Sequence, residues 1–129
     1  MIQNKASVET IIRDYIEHKE KSVLFGKKKL DAEKEYNKLL TSYNGEAKQY
    51  SLDQADRIFK AYLSMADNAE QAANAQIKFS EAEESLKEVG RILFDATIIA
   101  EIDLSSINNE TPAKKRVRVD YHNGEVVVS

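Results

Sequence analysis

Apolar residues at helical spacing open the chain: Val8, Ile11, Ile12, Tyr15 and Ile16, with the stripe resuming at Val23, Leu24, Leu30, Tyr36, Leu39, Leu40 and Tyr43. This pattern predicts one helix over about 7–43, with Gly26 as the place where it would kink. Asn44-Gly45 supplies turn chemistry, and Ser51 with Gln54 has the spacing of a capping box at a second helix. That second helix is predicted over about 51–99, and Gly90 is where its continuity is open. Two seams run along it. Leu52, Ala55, Phe59, Tyr62, Ala66, Ala69 and Ala73 form one. Ile58, Met65, Ala72, Phe79, Leu86 and Leu93 form the other, with Ala82, Val89 and Ala96 between. Two apolar stripes imply two neighbours, and one antiparallel helix covers only one of them.

Folding the helices back on each other pairs Tyr43 with Ser51 and Val8 with Leu86, so that everything beyond Glu88 overhangs. The overhang is the most apolar stretch of the chain, and something must cover it: a partner, the first residues Met1 and Ile2, or the C-terminal tail. The tail alternates apolar and polar residues on either side of Asn123-Gly124, the strongest short signal for a hairpin with a type I′ turn. The register then sets Tyr121 opposite Val126 and Val119 opposite Val128 on one apolar side, with Asp120 opposite Val127 and Arg118 opposite Ser129 on the other. The expected fold is mainly α, a long antiparallel helical hairpin or coiled coil with a small C-terminal β-hairpin. It divides into a helical hairpin over 1–104, a polar loop over 105–116 and a β-hairpin docking tail over 117–129.

Composition narrows the function classes. The 129 residues are 42% hydrophobic and 32% charged, ordinary for one helical domain, and the formal charge of -3 argues against general affinity for nucleic acid. With no cysteine, disulfides and thiolate metal sites are excluded. The start lacks the apolar core of a cleaved signal peptide and no run has the length of a membrane span, so residence in the cytoplasm or within an assembly such as a virion is expected. His18 and His122 have Tyr15 and Val119 three residues before them, where a bundle di-metal site would carry Glu. Glu81, Glu83, Glu84 and Glu88 read as a solvated helix face, and the glycines are too dispersed to cradle a phosphate. No catalytic residue, cofactor or metal is expected. Two basic clusters, Lys27-Lys28-Lys29 and Lys114-Lys115-Arg116 with Arg118, read as solubilising faces rather than as nucleic-acid contacts.

Tyr43-Asn44-Gly45-Glu46-Ala47, followed by Tyr50, resembles the Trp-x-Gly turn of a family of small secreted helical hairpins. Tyr stands in place of Trp, the second helix is longer, and that family has no terminal β-hairpin. The resemblance implies a secreted or chaperone-like hairpin that binds one protein partner. The reading that uses every unusual feature is different: a non-enzymatic structural or adaptor subunit of a multi-chain assembly, a homo-oligomer joined by coiled-coil seams. Its expected interface is Leu86, Val89, Ile92, Leu93, Ile99 and Ile102, and its expected docking hairpin is Val117, Val119, Tyr121, Asn123, Gly124, Val126 and Val128. A nucleic-acid accessory role through the basic clusters is the third reading.

Overall fold

A computed structural model describes residues 7–43, 49–104 and 114–129. Two long helices come first, α1 over Val8–Ser42 and α2 over Leu52–Ile92, followed by strands β1 (Thr97–Asp103), β2 (Lys114–His122) and β3 (Glu125–Val128). The local chemistry explains the helix starts. Ser7 Oγ accepts from Thr10 N at 3.2 Å at the head of α1. At the head of α2 the capping box closes in both directions, Ser51 N donating to Gln54 Oε1 at 3.0 Å and Gln54 N to Ser51 Oγ at 3.1 Å. Neither Gly26 nor Gly90 interrupts its helix. The turn residues 44–48, on which the Asn44-Gly45 reading rests, lie outside the described residues, as does most of the polar loop.

The second helix ends at Ile92 instead of running to Ile99. Asp95 adopts a left-handed φ of 53°, a conformation that Asp tolerates better than most residues, and the chain leaves the helix axis there. Residues 97–103, of which 97–99 were expected in the last turn of α2, form a strand whose β-branched Thr97, Ile98, Ile99 and Ile102 suit extended backbone. The tail is consequently part of a three-stranded antiparallel sheet in the order β1-β2-β3. Ile98 lies opposite Val119 and Ala100 opposite Val117 in the first pair. The second pair has the register expected from the sequence, Val119 opposite Val128, Asp120 opposite Val127 and Tyr121 opposite Val126. Arg118 and Ser129 exchange two backbone hydrogen bonds at 2.9 and 2.8 Å. Asn123 and Gly124 both have positive φ, 51° and 81°, as a type I′ turn requires.

The chain divides into two compact units, a helix–sheet unit of Met1–Glu20 with Lys78–Ser129, and a helical unit of Lys21–Ile77. Both helices contribute to both units. In the helix–sheet unit the inner face of the sheet supplies Ile102, Val117, Val119 and Tyr121 to one buried cluster with Ile12, Tyr15, Leu86 and Leu104. Tyr15 packs its ring on Phe79 with centroids 5.4 Å apart. The chain's own tail thus covers Val89, Ile98, Ile102 and Leu104 of the overhanging stretch, while Ile92, Leu93, Phe94 and Ile99 stay exposed.

Tyr121 locks the sheet to α2. Its hydroxyl donates to the carbonyl of Leu86 at 2.7 Å, and its ring lies over Gly90 so closely that a Cβ there would sit 2.3 Å from Cδ1. Gly90 is therefore an approach site for an aromatic ring and not a helix break. Gly90→Ala should be destabilising by about 1–3 kcal/mol through overpacking, even though alanine is the better helix former by about 1 kcal/mol. In the background of Tyr121→Ala the same change should turn stabilising. Urea unfolding of the four variants in that cycle reads both signs.

Candidate interaction surface

The helical unit is built the wrong way round for a self-sufficient pair. Its helices run antiparallel, with Ser22 Oγ donating to Gln76 Oε1 at 2.8 Å, the Tyr36 and Tyr62 rings 6.0 Å apart, and Arg57 reaching the Tyr43 hydroxyl at 3.4 Å. On α2 the half-buried or buried positions of this unit are Gln54, Ile58, Ala61, Met65, Asn68, Ala69, Ala72 and Ala75. Ile58, Met65 and Ala72 are from the second seam, and most of the row is small or polar. Opposite them α1 half-buries Phe25, Tyr36, Leu39 and Leu40, large side chains set over a small-residue floor. One stripe has therefore found its neighbour.

The other stripe has not. Leu52, Phe59 and Leu63 are exposed, Leu52 at 81% and Phe59 at 59%, with Tyr62 at their edge beside Tyr36, and Ile77 continues the line past Ala66, Glu70 and Ala73. These positions recur by threes and fours and so share one side of the helix. Leu63 and Ile77 belong to the stripe although the heptad reading passed over them, because a strict three-four alternation skips one of two adjacent candidates at each place. Each such side chain is worth ~1.5–3 kcal/mol on burial, and a contiguous row of them marks an interaction surface more often than a solvated one. The polar sector beside it is tied locally, Arg57 pairing with Asp53 at 3.2 Å and Gln71 Nε2 donating to Asp67 at 2.9 Å.

The six residues expected as the interface fall into two groups. Leu86 and Ile102 are fully buried and Val89 packs against the same cluster, so these three belong to the core of the helix–sheet unit. Ile92, Leu93 and Ile99 are exposed, Ile92 at 81%. The hairpin expected to dock elsewhere is spoken for as well: Val117, Val119 and Tyr121 are buried in that core, with Val126 and Val128 packed on it, while Asn123 and Gly124 make the turn. The apolar faces were correctly located along the chain. Amphipathicity alone does not say what covers them.

Several charged side chains of the helix–sheet unit pair locally. Arg91 bridges Glu84 at 3.1 Å and also pairs with Glu88, and Lys87 meets Glu83 at 3.5 Å. A groove of about 330 Å³ in the helix–sheet unit brings Asp14, His18, Lys78, Glu81 and Ser85 together. Its serine hydroxyl donates to the Glu81 carbonyl of its own helix at 3.2 Å, not to the imidazole. Among the described residues no group of three His, Cys, Asp or Glu side chains could hold a metal ion, and no described helix is long and apolar enough to cross a membrane. On β2 the basic cluster stands beside acids: Arg116 is opposite Glu101, Lys114 is opposite Asp103, and Arg118 Nε donates to Asp120 at 2.9 Å. Asp120 also accepts from Thr97 Oγ1 at 2.7 Å, and this hydrogen bond with the Arg118 contact holds its carboxyl below the ordinary value of 3.8. Of the other cluster, Lys28 lies over the Phe25 ring at 5.4 Å.

Burial raises the phenols of Tyr121 and Tyr15 above their ordinary 10.0, Tyr15 with help from Glu83. A raised folded-state value means that both tyrosines contribute stability in full below pH 10 and lose it as pH climbs through the raised values, where the unfolded chain ionises first. Melting temperature should fall above pH 10, and less so in Tyr121→Phe, which removes one of the two titrating groups. Thermal melts between pH 8 and 11 check this.

No protein-family model, curated protein or solved structure matches the chain. The likeness to secreted Trp-x-Gly hairpins thus stays with the turn residues alone, of which only Tyr43 and Tyr50 are among the described residues.

Proposed function

We propose that this chain is a non-enzymatic structural or adaptor subunit of a multi-chain assembly, resident in the cytoplasm or within that assembly, and that it joins other chains through the outer stripe of α2. The observation carrying this reading is the inversion of size in the helical unit. Alanines and polar residues fill much of the inward face of α2 while Leu52, Phe59, Leu63 and Ile77 point outward. A two-helix unit gains little from its own small-residue seam, and the surface that could stabilise it most is the one left open. Docking passes in this reading from the hairpin, which closes the helix–sheet unit, to the long helix.

Replacing Phe59 and Leu63 together by Glu tests it. Both are exposed, so the folded subunit should tolerate the changes within about 0.5 kcal/mol each, whereas a carboxylate in a buried seam would not be tolerated. Light scattering at ~100 µM, far above the dissociation constants of specific contacts, should find the double variant at the 14.6 kDa of a single chain with its helical circular dichroism unchanged. A double variant with the mass of the wild type would sink the proposal.

A further inference from the structure

We propose that Asn123 is a site of spontaneous covalent modification, held unreactive by the folded hairpin and able, once converted, to open the helix–sheet unit. The side-chain amide of an asparagine followed by glycine is open to attack by the glycine's own backbone nitrogen, which no Cβ shields. The nitrogen of Gly124 bonds to Cγ of Asn123, its proton leaves with the side-chain nitrogen as ammonia, and a succinimide ring closes. Water then adds to one of the two ring carbonyls and breaks its bond to the ring nitrogen. One product is aspartate. The other is isoaspartate, in which the main chain runs through the side-chain carbonyl and is longer by a methylene. Water is the only co-reactant. Both residues are exposed, and no atom lies within 4 Å of the place that a Cβ on Gly124 would take.

The turn decides when this happens. Asn123 and Gly124 have φ of 51° and 81°, as in a type I′ turn, whose first central residue takes a ψ of about +30°. At that ψ the Gly124 nitrogen lies nearly trans to the Asn123 Cβ about the Cα–C bond, turned away from Cγ. It reaches Cγ only near the eclipsed arrangement, which the turn does not allow, so reaction waits for the hairpin to open. The two products then differ in what they do to the fold. Aspartate tolerates a left-handed φ and can take the same turn, beside the Asp95 carboxylate that accepts from the Asn123 backbone N–H at 3.4 Å. Isoaspartate cannot. A two-residue loop sets the register of β2 on β3, and an extra methylene within it displaces Tyr121 from Val126 and Val119 from Val128. Those four side chains are the row of the sheet that packs with Ile12 and Leu86. The closed turn thus protects the residue whose conversion would undo it.

The experiment ages the protein in warm, mildly alkaline buffer and, in parallel, in guanidinium chloride. Trypsin separates the chain's two Asn-Gly pairs, Asn44-Gly45 in the peptide Leu39–Lys48 and Asn123-Gly124 in the peptide that begins at Val119. Mass spectrometry of the second peptide reads loss of the amide, and an isoaspartate-specific methyltransferase reads the rearranged product. Conversion of Asn123 should be at least ~10-fold slower in the folded protein than in denaturant, because only the open fraction reacts. Chains carrying isoaspartate at this position, separated from the rest and refolded, should have a lower urea midpoint than the wild type. Asn123→Asp should keep the wild-type midpoint. Equal rates in buffer and in denaturant would overturn protection by the turn, and no conversion in denaturant would remove the site. Isoaspartate chains with the wild-type midpoint would overturn the link between the modification and the fold.

Discussion

Removing residues 117–129 is expected to unfold the helix–sheet unit. The deletion takes away Val117, Val119 and Tyr121, all buried, together with Val126 and Val128 that pack beside them. At ~1.5–3 kcal/mol for each buried side chain, the three core residues alone amount to roughly 5–9 kcal/mol, comparable to the ~5–15 kcal/mol that holds a whole domain together. Ile12, Leu86 and Ile102, now fully buried, would be left facing water. Amide exchange should show protection lost over the start of α1 and the end of α2, and a dye that binds exposed apolar surface should report the opened core. Preserved protection at Ile12 and Leu86 in the truncated chain would mean that the hairpin is dispensable to the fold and free to dock elsewhere. Treated as a removable arm, the tail would have been expected to leave the helices intact. Its two inner rows of side chains say otherwise.

A second large effect separates residues that one apolar run makes look alike. Leu86→Asp places a carboxylate at a position with no exposure and no hydrogen-bond partner provided for it, and should cost more than about 4 kcal/mol. Ile92→Asp, six residues on in the same helix at 81% exposure, should change stability by no more than about 0.5 kcal/mol. Urea midpoints for the two variants give the comparison directly. Near-equal losses would show that Ile92 is covered too, and that the end of α2 has a neighbour among the contacts of the folded chain.

Elements specified by neighbouring residues were legible in the sequence. The Ser51–Gln54 cap, the positive φ at Asn123 and Gly124, and the register that follows from that turn all depend on a few adjacent side chains. Strand β1 was not legible in this way. Val89, Leu93, Ala96 and Ile99 continue a helical spacing, and what overrides it is the pairing of residues 97–103 with β2, a contact between segments separated by the polar loop. The β-branched run Thr97-Ile98-Ile99 was the local sign of a strand, and it was outweighed by periodicity. The interface shows the same division. Both seams of α2 could be found from their spacing, but which one α1 takes depends on the sizes of side chains brought across from the other helix. Of the apolar overhang, Ile98, Ile102 and Leu104 pack with strands encoded farther along the same chain, a contact that helical spacing does not reveal.

The central claim is that the outer stripe of α2 holds chains together. Its most direct test is the mass of the wild-type protein by light scattering along a dilution series from ~100 µM down to nanomolar concentrations, the range in which specific contacts dissociate. A mass above the 14.6 kDa of one chain is expected at the top of the series, falling toward that single-chain mass on dilution. A well-folded chain that keeps the single-chain mass at every concentration would contradict it.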